Sequence, residues 1–260
     1  LLVRLHNHGL KMIRKFILRC IIGFSIYVSA LSAHSNIELI IDGGVGWFSP
    51  PKSTHIIVTD IETDSIEQGT SHATGDIGLA ANYRFPLLNN TQTPWFNQFG
   101  VGLNLRYSGF SNFIIDGQVY QFEQADLNNY RYHLYFENTR LLAQLTFDVL
   151  TYKQASLFIL GGIGGGWSKF NYEDKPISSD LEGGISLNNR HTTKLVTDAG
   201  IGLNYHYSEK FSYSLSYLYT NYGHISASSS GQLNGEYVTL DSPAYALSSN
   251  TLLVGVHYVI

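Results

Sequence analysis

The chain predicts an all-β fold, an eight-stranded antiparallel up-and-down transmembrane β-barrel. Three observations carry that prediction. From residue 37 onward, stretches of about ten residues alternate apolar with polar or small side chains, the period of a strand with one apolar face. The connections between these stretches alternate long and short without exception. No part of residues 34–260 is a continuous apolar run of the roughly 18 residues a membrane helix needs, whereas a membrane strand needs only about 9–11.

Taken in order, the first strand spans about 37–47 and sets Ile37, Leu39, Ile41, Val45 and Trp47 on one face. The second, 76–86, aligns Ile77, Leu79, Ala81, Tyr83 and Phe85. The third, 97–107, aligns Phe99, Val101, Leu103, Leu105 and Tyr107. The fourth, 138–150, aligns Leu141, Ala143, Leu145, Phe147 and Val149. The fifth, 155–168, carries Leu157, Ile159, Ile163 and Trp167. The sixth, 192–207, carries Leu195, Ala199, Ile201, Leu203, Tyr205 and Tyr207. The seventh, 210–222, carries Phe211, Tyr213, Leu215, Tyr217 and Tyr219. The last, 252–260, carries Leu252, Val254, Val256, Tyr258 and Ile260. In the run Gly161–Gly166 no Lys-Ser/Thr follows as a phosphate loop requires, so these glycines let a strand bend or leave room for bulky neighbours.

Alternation alone does not distinguish a soluble sandwich from a membrane barrel, since either has one apolar face. The connections do. They run to about 28, 10, 28, 4, 22, 2 and 22 residues. Soluble domains obey no such rule, whereas outer-membrane barrels pair short periplasmic turns with long outer loops. An even strand count puts both termini on the periplasmic side. The loops are 48–75, acidic and Thr-rich; 109–136, aromatic and Asn-rich; 169–190; and 227–248, Ser/Gly-rich.

Residues 1–33 are expected to lie outside the fold. The only methionine is Met12, the predicted true start; Arg14, Lys15 and Arg19 precede an apolar core from Cys20 to Val28, followed by Ser29, Ala30, Ser32 and Ala33. That is the pattern of a cleaved signal peptide, with processing after Ala33 or Ala30, leaving 34–260 as one barrel domain. The sole cysteine, Cys20, leaves with it, which excludes disulfides and thiolate chemistry from the mature chain. Five of the 16 basic residues lie in 1–33, so 11 face 20 acidic ones and the formal charge is −9. No basic cluster suited to nucleic acid survives.

The ending Gly255-Val256-His257-Tyr258-Val259-Ile260 resembles the terminal signature of bacterial outer-membrane barrels. Gly255, Tyr258 and Ile260 would form the assembly signal, with Ile260 in place of the usual aromatic. The stretch Tyr217-Leu218-Tyr219-Thr220-Asn221-Tyr222-Gly223-His224-Ile225 resembles the penultimate strand of small eight-stranded barrels of the opacity-protein and OmpA/OmpX-like type. The resemblance implies a Gram-negative outer membrane, with membrane lipid, lipopolysaccharide and the barrel-assembly machinery as partners, and a host or surface ligand met through the loops. It implies no cofactor.

Three sets of residues are candidates for function. Glu38, Asp42, Asp76, Arg84, Arg106, Arg140, Asp148 and Asp198 fall on the polar face and would point into the lumen, where ionised groups are costly unless paired. The structural reading is a salt-bridge plug; the functional one is an ion or proton path. Trp47, Phe85, Tyr107, Trp167, Tyr207, Tyr217 and Tyr258 lie near strand ends, where aromatic girdles mark the membrane interfaces. His224, Ser226 and Glu236 resemble the His/Ser/acid set of the lipid A deacylases, and a hydroxyl nucleophile does need a base and an orienting acid. No metal-ligand spacing is present. The expected role is structural or adhesive surface display; the alternatives are a deacylase-like lipid A-modifying enzyme and a narrow solute channel.

Overall fold

The computed structural model describes residues 36–50, 54–59, 62–86, 95–110, 113–181, 183–241 and 244–260. The predicted signal segment, residues 1–33, lies outside them. Eight long strands form a closed ring: β1 (Ile37–Phe48), β5 (Ala73–Pro86), β6 (Trp95–Ser108), β8 (Asn128–Tyr152), β9 (Ala155–Pro176), β11 (Arg190–His206), β12 (Phe211–Ser226) and β15 (Ala244–Val259). Each pairs antiparallel with the next, and the ring closes where β1 meets β15 from Glu38↔Val259 to Phe48↔Ser249. Closure is what allows such a chain to sit in lipid, because an open edge would leave backbone N–H and C=O groups with no partner in hydrocarbon. Among the described residues no helix is long and apolar enough to cross a membrane. The ring crosses with strands.

Burial is inverted relative to a soluble barrel. The alternating apolar side chains face outward and remain exposed around the ring, among them Ile41, Leu79, Leu103, Ile163, Leu195, Leu203, Leu215 and Val254. The intervening positions face inward and are largely polar, with Glu38, Asp76, Asn82, Asn104, Arg106, Arg140, Gln144 and Asn204 buried beside the apolar Leu142, Phe158, Leu218 and Leu253. An apolar belt this extensive is a surface for lipid. Ile37 and Ile260 lie together at the end bearing the short turns, where the Ile260 N–H donates to the Ile37 carbonyl at 3.0 Å and the Val259 N–H to Lys210 at 2.8 Å.

The other end departs from the expectation of long structureless loops. β8 and β9 run for 25 and 22 residues, about twice what a membrane crossing requires, and pair as far out as Tyr130↔Pro176. Between Phe48 and Ala73 lie β2 (Thr54–Thr59), β3 (Glu62–Ile66) and β4 (Thr70–Ser71), and between Gly109 and Asn128 lies β7 (Ile115–Tyr120). β7 pairs with β3, β4 and β8. β10 (Ile185–Leu187) joins β9 to β13 (Ser230–Leu233), which forms a hairpin with β14 (Glu236–Thr239). The Ser/Gly-rich stretch 227–248 therefore contains a hairpin and the start of β15.

The physical sign of this second structure is a change of parity within single strands. In β8 the outward residues Leu141 and Leu145 are exposed, but farther out it is the inward Tyr132, Leu134 and Phe136 that are apolar and buried. In β9 exposed Ile163 and Trp167 give way to buried Phe170 and Tyr172. Below the switch the wall meets lipid; above it the wall meets water and the apolar residues turn in. A closed barrel of this kind resists detergent until heated. Boiled and unboiled samples are expected to migrate differently in detergent gels, and identical migration would count against ring closure.

Candidate functional site

The lumen is occupied by two charge clusters. Nearer the termini, the Arg84 guanidinium donates to both Glu38 oxygens at 2.8 Å and to Asp148 and Gln98 at 3.1 Å. Glu38 lies 2.9 Å from His257 Nδ1, whose Nε2 lies 2.8 Å from Ser214. The two-pronged Arg84–Glu38 contact matches the planar fork of guanidinium to carboxylate. Farther out, Arg106 donates to Asp76 and Asp42 at 2.7 Å each. Arg140, fully buried, donates to Ser108 at 2.7 Å and to Asp76 at 3.3 Å, with its Nε 3.6 Å from Asp198. Asp76 also accepts from the Ser108 hydroxyl, so one carboxylate ties β5, β6 and β8 together.

All eight residues read from the sequence as lumen charges thus meet in ion pairs. His257, Ser108, Ser214 and Tyr222 are partners that sequence reading missed. His257 sits on the odd, inward register of the last strand, between the outward Val256 and Tyr258, so the alternation itself carried that signal. Between the two clusters remains a cavity of about 40 Å³, bordered by Asn82, Asn104, Gln144 and Asn204, room for a few waters.

An aromatic layer caps the outer cluster. Phe48, Phe136 and Tyr222 surround one another at 5.1–5.5 Å between ring centres. The Arg140 guanidinium lies 5.6 Å above the Tyr222 ring and 3.4 Å from its hydroxyl. Beyond this layer is an apolar core built from the outer strands: Ile56, Ile66, Ile115, Val119, Leu134, Tyr172, Ile185, Leu187, Tyr245 and Leu247. The sequence reading placed long loops here; the strands instead continue beyond the belt and close around an apolar core.

Two carboxyls, Asp64 and Asp174, are buried in that outer region. Asp174 accepts the Ile185 N–H at 2.6 Å and the Tyr172 hydroxyl at 3.0 Å, fastening β10 to β9. Burial pushes its pKa up to about 7, assisted by the charges of Asp64 and Glu173 and opposed by the two hydrogen bonds. The same burial raises the Tyr172 and Tyr245 hydroxyls.

The predicted interface aromatics all lie on the outer wall. Trp47, Trp167, Tyr217, Tyr207, Phe85 and Tyr258 are exposed, while Tyr107 is partly covered by Phe110, 4.7 Å away edge to face. In the terminal segment Tyr258 packs on Phe211 at 5.0 Å. Gly255 faces inward, where a Cβ would come within 2.5 Å of Ser214. His224, Ser226 and Glu236 are not assembled. His224 and Ser226 lie on β12, Glu236 opens β14, and no hydrogen bond or ion pair links the three side chains. The deacylase-like arrangement is therefore not formed. Among the described residues no group of three or more His, Asp or Glu side chains is placed to hold a metal.

Two consequences follow for stability. Asp76→Ala leaves Arg106 and Arg140 short of a buried counter-charge and is expected to lower unfolding stability by about 3–5 kcal/mol, read from denaturant midpoints; a loss below about 1 kcal/mol would contradict the central role of Asp76. The folded pKa of Asp174 lies above its ordinary 3.8, so the folded state holds a proton that the unfolded state releases. Its contribution is full below about pH 4 and is lost as pH rises through 7. Stability is expected to fall between those limits, with Asp174→Asn flattening the slope; an unchanged slope in that variant would assign the pH dependence elsewhere.

No protein-family profile matches the chain, and no curated protein sequence does. Solved structures do resemble it. Neisserial surface protein A aligns over 87% of this chain and 98% of its own at 10% identity, with a TM-score of 0.48. The outer membrane protein OprG from Pseudomonas aeruginosa aligns over 88% and 99% at 14% identity, TM-score 0.45. The outer membrane protease OmpT from Escherichia coli aligns over 86% and 97% at 9% identity, TM-score 0.45. By its own closed ring of eight antiparallel strands, outward apolar belt and paired interior charges, the chain has the fold of the small outer-membrane β-barrels that its sequence resembles.

Proposed function

We propose that this chain is a Gram-negative outer-membrane protein that holds a folded head above the cell surface, in a structural, adhesive or ligand-binding role. The observation that carries the reading is the outer apolar core, in which described residues of all four long connections pack together over a lumen filled by ion pairs. In this reading the termini and short turns face the periplasm. The barrel-assembly machinery inserts the chain, and lipid and lipopolysaccharide surround the belt.

The head offers a formed contact surface. At its tip Phe122 is exposed in the left-handed backbone region (φ 51°), its N–H donating to Asp64 at 3.2 Å, and Glu123 (φ 58°) pairs with His55 at 2.9 Å. Backbone held in such a region by surrounding contacts is a feature of recognition sites. A solute channel is disfavoured by the small interior cavity, and a lipid A-modifying enzyme by the lack of any hydrogen bond or ion pair joining His224, Ser226 and Glu236, which lie on two different strands.

Protease shaving of intact cells tests this reading. Cuts are expected only on the side of the head, within 48–75, 109–136, 169–190 and 227–248. Cuts at 153–154 or 207–210 in intact cells would reverse the orientation, and rapid loss of the whole of 113–136 would contradict a folded head.

A further inference from the structure

On one side of the head, β10, β13 and β14 form a small sheet that hangs from the rest by little. Its strands pair along their full lengths, from Ile185↔Leu233 to Leu187↔Gly231 and from Ser230↔Thr239 to Leu233↔Glu236. Yet β10 registers with β9 only at Ser186↔Glu173, and among the described residues β14 ends the sheet. The apolar side of this sheet lies inward: Ile185 and Leu187 are buried, and Leu233 and Val238 pack against the outer core. At its root the Arg190 guanidinium donates to the Ala227 carbonyl at 2.9 Å, which ties the chain entering β11 to the chain leaving β12. A weakly attached unit of this kind opens separately from the body that carries it.

Asp174 is a further tie between β9 and β10, through the Ile185 N–H at 2.6 Å, and the chain entering β10 packs directly on it, since a Cβ at Gly184 would run into its carboxylate. The groups facing that carboxyl make a charge costly. From β3 comes the buried Asp64; from β9 come Tyr172, which donates to it at 3.0 Å, and Glu173, 3.4 Å from Lys175. From β8, Tyr132 stacks on Tyr172 at 6.1 Å and donates its hydroxyl to the Glu67 carbonyl at 2.9 Å. From β15, the buried Tyr245 hydroxyl acts on Asp174 and has no hydrogen-bond partner. β10 itself brings no titratable side chain. A neutral Asp174 accepts the Ile185 N–H and suits these surroundings, whereas an ionised one is drawn toward water. Its pKa is about 7 in place and 3.8 ordinarily, so lifting it into water releases a proton and becomes easier as pH rises between those values.

We propose that Asp174 is a proton-operated latch: holding a proton, it fastens the β10–β13–β14 sheet to β9 over the apolar core of the head, and on losing that proton to water it lets the sheet lift about its Arg190–Ala227 root. Apolar surface is then covered in acid and uncovered more often at neutral pH and above. The latch works in the same way whichever side of the membrane the head faces and whatever the head binds.

Native-state hydrogen exchange of the full chain, refolded in neutral detergent and corrected for the intrinsic pH dependence of exchange, tests the latch. Amides of Ile185–Leu187, Ser230–Leu233 and Glu236–Thr239 are expected to lose about thirtyfold in protection between pH 5.5 and 8.5. Amides of β11 and β12 within the apolar belt should hold theirs. Asp174→Asn keeps a neutral acceptor for the Ile185 N–H and is expected to abolish the pH dependence, leaving the sheet protected at pH 8.5; Asp64→Asn should reduce it. Constant protection of the sheet in the unaltered chain, or an undiminished pH dependence in Asp174→Asn, would overturn the proposal. Equal loss in β11 and β12 would also overturn it, because the whole barrel would then be responding. A second measurement leaves Asp174 in place: nitroxides on Gln232→Cys and Thr193→Cys in a Cys20→Ser chain are expected to move apart, with a broader distance distribution, from pH 5.5 to 8.5. An unchanged separation there would equally refute the latch.

Discussion

Closure of the ring between β1 and β15 is the constraint on which the rest of the structure depends. In hydrocarbon every backbone donor and acceptor must be satisfied by the chain itself, and eight strands closed on themselves achieve this. The diameter is then fixed, and an eight-stranded interior is just wide enough for side chains to fill. Charged residues inside so narrow a space must pair, as Arg84, Arg106 and Arg140 do with five carboxylates. Apolar residues on the same strands are left to face lipid.

The same strands obey the opposite rule a few residues farther out. Around Asn138 and Ser168, which bond each other at 2.8 Å, the solvent outside the wall changes from lipid to water and the apolar side chains change face. The ion-pair cluster of Asp76 and Arg140 sits immediately inside this boundary, with Phe48, Phe136 and Tyr222 stacked upon it. One barrel therefore has two interiors, a polar one within the membrane and an apolar one above it. Asp64 and Asp174 are buried carboxyls in the second, and the burial of Asp174 is compensated by two hydrogen bonds.

Much of this was legible in the sequence. Period-two alternation located all eight ring strands, because lipid demands apolar residues on one face for about ten residues at a time. The lumen charges were legible for the same reason. The outer half was not, because the parity switch looks like the end of a strand: Tyr132, Leu134 and Phe136 are out of phase with Leu141, Ala143 and Leu145, and the pattern breaks between them. The hairpin of Ser230–Leu233 and Glu236–Thr239 was hidden by its small, polar composition. His224, Ser226 and Glu236 suggested chemistry by proximity in sequence, but Glu236 belongs to a hairpin that leaves the β12 strand before it begins.

The lumen is sealed twice, by ion pairs and by the aromatic layer above them. Planar-bilayer recording tests it most directly. No steady conductance is expected from the folded protein across physiological voltages. A reproducible large conductance would contradict it, because no continuous aqueous path is compatible with the packing around Arg140 and Tyr222.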